Sequence, residues 1–280
     1  MLGRVWKRCA YLWVVALTGP CRADLPLTND DLLIRERTVR LGIGLDYVNR
    51  TRRNWLSLNN LDGFLAQADA RYGVSSDLEI YARVSGLYLQ VRSLSASNTT
   101  TTASAWRFNN LSLGLNYQFS PDNATPALLG QIETSIVENA SATTKTNFVY
   151  GKTWQVGLTT YRRFDPLVLA LSIGYTHARP RRFLNNDRHV NFNPGNLFSF
   201  NPSLSFAINP DVSVSGGFAV TYSDKSELDN ERSGMPSTRT DLAFSLACAL
   251  TKKTIAFSRL LTDISGDSGS TVGFKLSHAF

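Results

Sequence analysis

Thiols are scarce in this chain. It has three cysteines in 280 residues, and two of them, Cys9 and Cys21, lie in an amino-terminal segment with the marks of a removable leader. Only Cys248 then remains, so no internal disulfide is possible and a structural zinc cluster has too few ligands. Long apolar runs are missing as well: with 43% hydrophobic residues and a mean hydropathy of −0.13, the composition excludes a helical membrane protein. It permits a spanning sheet, in which only alternate residues are apolar. There is no phosphate-binding glycine loop, because Gly42 and Gly44 sit inside a strand pattern and do not open a helix. Nothing in the sequence points to a cofactor or a metal ion.

Residues 1–23 form the leader. Arg4, Lys7 and Arg8 make its positive start, Cys9 to Leu17 is apolar, Gly19-Pro20 breaks the run, and the residues before Asp24 suit a signal peptidase cutting after Ala23. The apolar run is too short to span a bilayer as a mature helix. Acylation of Cys21 is disfavoured by Pro20, which stands where a small residue is wanted. The leader holds four basic residues, Arg4, Lys7, Arg8 and Arg22, and no acid, so its removal lowers the formal charge from +7 to +3. The basic balance therefore gives little support to nucleic-acid binding. In residues 24–37, Thr28-Asn29-Asp30-Asp31 reads as a capping box for a short helix through Leu32, Leu33, Ile34 and Arg35. This segment is either a simple lead-in or a small plug for a lumen.

From Thr38 to Phe280 the pattern has period two. Val39, Leu41, Ile43, Leu45 and Tyr47 oppose Arg40, Gly42, Gly44 and Asp46; Phe64 to Tyr72 then oppose Leu65 to Arg71 in the same way. The third strand begins with Leu78, Ile80, Ala82 and Val84 and is expected to change phase at Gly86, where Leu87, Leu89 and Val91 take over around a bulge. Phe148 and Tyr150 are expected to open the sixth strand, and a weaker strand centres on Ile255 and Phe257. The whole gives about twelve strands, joined alternately by tight turns such as Asn209-Pro210-Asp211 and by long polar loops. An even number with that alternation predicts an all-β fold, a transmembrane antiparallel up-and-down barrel spanning residues 38–280. Tyr47, Tyr72, Tyr117, Phe119, Trp154, Tyr175 and Tyr222 fall at strand ends, where aromatic girdles are expected. A sheet in lipid cannot leave edge amides unpaired, so Val39–Tyr47 should pair with Val272–Phe280.

If the apolar parity faces lipid, the other parity lines a lumen with Arg40, Asp46, Asp69, Arg71, Glu79, Arg83, Glu133, Arg239, Asp241 and Lys275. Charges of both signs in one space require water or mutual pairing, so an open channel and a filled barrel both stand. The loop bearing Arg179, Arg181, Arg182 and Arg188 is the one concentrated charge cluster, a candidate contact for lipopolysaccharide phosphates or simply a solvated extracellular surface.

Enzymatic patterns are incomplete. Outer-membrane phospholipases place a Ser two residues after a His, but His177, His189 and His278 are followed there by Arg179, Asn191 and Phe280. Omptin-like proteases need Asp-x-His and Asp-x-Asp; Asp187-Arg188-His189 supplies the first and no Asp-x-Asp occurs.

The terminal strand, with Phe274 and Leu276 on its apolar face and Phe280 at its end, resembles the closing strand of bacterial outer-membrane barrels. That likeness implies recognition by the barrel assembly machinery of a Gram-negative outer membrane. The stretch from Leu32 through Arg35-Glu36-Arg37 to the Gly-punctuated strand ending at Val48, with the Tyr72-Gly73-Val74 turn, resembles a family of outer-membrane transporters linked to the meta-pathway of phenol degradation, which includes the functional-amyloid exporters. The resemblance implies a twelve-stranded channel for small aromatic or hydrophobic solutes, or an export channel for a secreted polypeptide. The exporters' long amino-terminal coiled coil is missing. The expectation is a passive channel and not an enzyme, with a plugged structural or adhesive barrel, its loops binding partners, as the alternative.

Overall fold

The computed structural model describes residues 33–54, 57–95, 100–139, 148–185, 188–229, 231–266 and 268–280. The leader and most of the expected lead-in helix lie outside them; Leu33, Ile34 and Arg35 are described and are not helical.

Twelve strands form the wall: β1 (Val39–Asn54), β2 (Ser57–Gly73), β3 (Leu78–Ser95), β4 (Thr100–Ser120), β5 (Ala127–Asn139), β6 (Thr153–Phe164), β7 (Leu167–Ala178), β8 (Leu197–Asn209), β9 (Val212–Ser223), β10 (Ser237–Ala249), β11 (Thr254–Asp263) and β12 (Ser268–Ala279). Each pairs antiparallel with its neighbours in sequence, and β12 returns to β1 from Arg40↔Ala279 to Thr51↔Ser268, which closes the sheet. The Phe280 N–H then donates to the Val39 carbonyl at 2.9 Å. Closure removes the edge that lipid could not solvate.

Tight turns join the strands at the end where Val39 and Phe280 lie, and long connections join them at the other. Strands β1 to β4 run from 16 to 21 residues, beyond the roughly 9–11 that a tilted strand needs to cross a bilayer, so this side of the wall rises above the membrane. From the long connections, Arg181–Asn185, Arg188–Asn193, Ser226–Leu228 and Glu231–Gly234 build a separate four-stranded sheet. Phe148–Tyr150 pairs with β5, so these aromatics cap the fifth strand and do not open the sixth.

The outer face is apolar: Ile43 is 63% exposed and Phe274 55%, a surface that only lipid can cover. Outward aromatics sit in cross-strand rows. Tyr47, Phe64, Tyr88 and Trp106 are successive register partners across β1 to β4, and Tyr175, Phe198 and Tyr222 across β7 to β9. Tyr72, Tyr117 and Phe119 stand at the opposite rim. From Phe64 to Tyr72 the strand advances about 27 Å, or roughly 20 Å of height at the usual tilt, close to the apolar band of an outer-membrane barrel.

Two expectations about facing are corrected. The bulge near Gly86 exists, but the extra residue is Asn109 of β4. Asn109 donates to Ser85 Oγ at 2.9 Å while that hydroxyl donates to Asn110 at 2.5 Å, so the irregularity is absorbed on β4. Strand β3 keeps its register with β2, Ala66 opposite Gly86 and Leu65 opposite Leu87, and Leu87 and Leu89 stay on the inner face. In β11, Ile255 and Phe257 pair with Ala249 and Ala247 and face inward, leaving the smaller Ala256 and Ser258 toward lipid.

Candidate functional site

Alternation along each strand decides which side chains enter the lumen. The register puts Arg40, Asp46, Asp69, Arg71, Glu79, Arg83, Glu133, Arg239, Asp241 and Lys275 on the inner face. They are not spread evenly. They come from β1, β2, β3, β5, β10 and β12, and most are held in tight pairs.

Near the turn end, Arg71 bridges Asp69 at 3.2 Å and Glu79 at 3.7 Å, and Lys275 reaches Asp69 at 3.2 Å. Glu79, with 0% exposure, also accepts from Asn116 at 2.9 Å and from the Ile34 backbone N–H at 3.0 Å. Higher up, the Tyr81 hydroxyl donates to Glu133 at 2.8 Å and accepts from Gln131 at 2.6 Å, with Arg83 3.4 Å from the same carboxylate. Arg259 binds Asp46 through two nitrogens at 2.7 and 3.2 Å, and Arg239 binds Asp241 at 2.5 Å and Asp263 at 3.4 Å. Inward glycines make room for these crossings: a Cβ on Gly273 would collide with Asp46, and one on Gly42 would come within 2.7 Å of Asp69.

The basic loop is divided. Arg181 turns inward and pairs with Glu138 at 2.6 Å, a carboxylate that also accepts from Thr153 at 2.9 Å, whereas Arg179 and Arg182 are exposed at the rim. Arg188 opens the second strand of the outer sheet.

Sequence reasoning missed Tyr81, Glu138, Arg259 and Asp263. For β11 a signal existed: Arg259 and Asp263 share one parity, and lipid excludes both, which outweighs the pull of Ile255 and Phe257 toward the outside.

The opposite wall carries no such charge. On the inner face, Thr153 to Tyr161 of β6, Val168 to Ala178 of β7, Leu197 to Ala207 of β8 and Ser213 to Ser223 of β9 present only hydroxyl, amide, small and apolar side chains. A cavity of about 270 Å³ lies along it, lined by Gln131, Gln155, Thr159, Ser172, Ser199 and Asn201 among others.

At the turn end the chain folds back into the mouth. Arg37, at φ 59°, donates its N–H to the Gly73 carbonyl at 2.8 Å and reverses the backbone, so that Ile34 is 2% exposed against Glu79. Gly73 is required here, since a Cβ would overlap the Arg35 carbonyl oxygen and stand 3.0 Å from that of Ile34. Leu33 to Glu36 thus face Tyr161, Val168, Ser205 and Ala207 across a cavity of about 780 Å³. Among the described residues, no group of three or more His, Cys, Asp and Glu is arranged to hold a metal ion.

The closed twelve-stranded wall, lipid-facing aromatic rows and charged interior define a transmembrane β-barrel of the outer-membrane class. Comparison with protein families and with curated sequences finds no match. The fold is similar to an outer membrane channel from Pseudomonas putida F1, at 10% identity over 92% of this chain and 100% of that one, with a TM-score of 0.68. It is also similar to the transport unit of the autotransporter AIDA-I from Escherichia coli, at 9% identity over 90% and 93% of the two chains and a TM-score of 0.60. The NanC porin aligns at 10% identity over 85% and 98%, with a TM-score of 0.52.

Proposed function

We propose that this chain is a passive outer-membrane channel for small polar solutes, narrowed at its periplasmic mouth by Leu33–Glu36. The observation that carries this is the pair of cavities, one at the mouth and one along the uncharged wall, inside a barrel whose charges are drawn back in pairs against the other wall. Side chains alone fill an eight-stranded barrel; twelve strands enclose more space than that. The polar inner face favours a polar solute over the aromatic or hydrophobic one implied by the phenol-pathway resemblance. No covalent step is involved, and selectivity arises from the lining.

Phe274, Leu276 and Phe280 stand outward on the closing strand and are the residues proposed to meet the assembly machinery. Arg179 and Arg182 at the outer rim are the proposed contacts for lipopolysaccharide. A second function, a closed barrel that presents partners with a recognition surface, is favoured by the ordered outer sheet. Single-channel recording of the refolded chain decides between the two. Stable open steps support the channel, while a heat-modifiable but electrically silent barrel selects the second function.

A further inference from the structure

We propose that the β6–β9 wall is the recognition surface of this channel and that its solute is a neutral polyhydroxylated molecule, a small sugar or polyol. The inference rests on the channel function above and names its substrate class.

Four adjacent strands, a third of the circumference, give an inner surface without a charge between Thr153 and Ser223 apart from the rim and loop residues. In its place stand groups that both donate and accept: Thr159, Ser172, Ser199, Asn201 and Ser203, with Gln155 above them. Thr159 and Ser172 are register partners, with their hydroxyls 2.9 Å apart, which places both over the same strip of lumen. Along each strand inward groups recur every second residue, about 6.7 Å apart, as Ser199, Asn201 and Ser203 do on β8, so a solute with several hydroxyls exchanges one set of hydrogen bonds for the next as it advances.

The same lining discriminates against other solutes. An ion passing along this wall gives up hydration for neutral dipoles and meets no countercharge, because Asp46, Asp69, Glu133 and Asp241 are occupied by Arg259, Lys275, Arg83 and Arg239. An apolar solute displaces water from the hydroxyls and returns no hydrogen bond. A neutral hydroxylated solute incurs neither cost.

The test uses the refolded mature chain in liposomes, with swelling rates for glucose, gluconate and glucosamine, which are close in size and differ in charge. Glucose entering several-fold faster than both charged relatives supports the inference. In planar bilayers, glucose should block the ion current saturably, and Ser172→Ala combined with Asn201→Ala should weaken that block about tenfold, measured relative to the variant's own open current, as expected from the loss of one or two hydrogen bonds. Ser203→Asp should shift the preference toward glucosamine. If current flows but glucose enters no faster than gluconate and glucosamine, the inference is overturned and the channel function stands. If neither current nor swelling appears with any solute, both are overturned.

Discussion

The segment Leu33–Glu36 offers the sharpest test of the channel, through its attachment at Glu79. Replacing Glu79 by Ala removes the acceptor for the Ile34 N–H, a 3.0 Å bond to a carboxylate that is 0% exposed. Hydrogen bonds to charged groups contribute about 1.5–3 kcal/mol, and truncation also removes side-chain atoms against which Ile34 is buried, so the segment should be weakened by at least about that amount. At 1.4 kcal/mol per decade this is roughly a tenfold to hundredfold rise in the ratio of open to narrowed mouths. Glu79→Gln keeps an acceptor and should fall between Ala and the native protein. Glu79 also neighbours Arg71, so its loss lowers stability; Gly73→Ala provides an independent route, because its Cβ displaces the Arg35 carbonyl while the ion cluster stays intact. Recordings in planar bilayers should show longer dwell in the high-conductance level for Glu79→Ala and Gly73→Ala alike. If both variants fold, as judged by heat-modifiable migration, and both reproduce native conductance and dwell times, the segment does not narrow the channel.

Other consequences are separable. Arg259→Ala strands Asp46, whose side chain is 4% exposed; because Arg259 itself is 47% exposed, the cost should be about 1–3 kcal/mol, read as a lower midpoint of heat modification, and Asp46→Asn in the same chain should restore most of it. Cys248, outward between Val212 and Ala256, should react with a membrane-permeant maleimide and not with a charged thiol reagent supplied in water; block of current by the charged reagent would refute the facing of β10. Asp122, in the turn after β4, is subject to burial that raises its pKa, but hydrogen bonds from the Arg163 side chain and backbone and the charges of Arg163 and Arg162 outweigh it and hold the carboxyl below its ordinary value. A depressed folded pKa contributes stability above the unfolded value and loses it as pH falls through the folded one, so Asp122→Asn should be less stable than the native chain at neutral pH and the difference should vanish in acid. A difference that persists at low pH would exclude the charge as its source.

The strand pattern of the wall was legible because lipid imposes strict alternation. Val39 to Tyr47 and Val272 to Phe280 could be paired from sequence because each has one apolar parity, interrupted in the second by His278 alone, and they are the first and last strands of the pattern. Legibility failed where both parities are apolar or both small. Leu87 and Leu89 look like an outer face until the pairing of Ala66 with Gly86 fixes the register, and that pairing is a long-range fact. Ile255 and Phe257 mislead for the same reason, with only Ala256 and Ser258 to claim the outside. The inner charges could be read one by one but not as pairs. Nothing local links Asp46 to Arg259, which lie 213 residues apart. The fold of Leu33–Glu36 into the mouth was equally hidden, since it depends on the space left by Gly73 and on a carboxylate from β3.

That long separation explains where the charges went. Pairing β12 with β1 closes the longest loop in the chain, and its entropic cost must be met by contacts across the seam. Two ion pairs do this: Lys275 of β12 reaches over β1 to Asp69 of β2, and Arg259 of β11 reaches over β12 to Asp46 of β1. Each skips a strand, so a slip of one residue in the β1–β12 register would turn one partner of each pair toward lipid, where a lone charge is far more costly than a lost contact. The pairs therefore specify the register of the seam as well as stabilising it. Charge placed for closure is withdrawn from the solute path, and β6 to β9, none of which borders the seam, are the strands whose inner face is left uncharged. The charges nearest the seam thus follow from the topology of closure before any solute is considered, while the pairs Arg83–Glu133 and Arg181–Glu138 extend the charged side as far as β5.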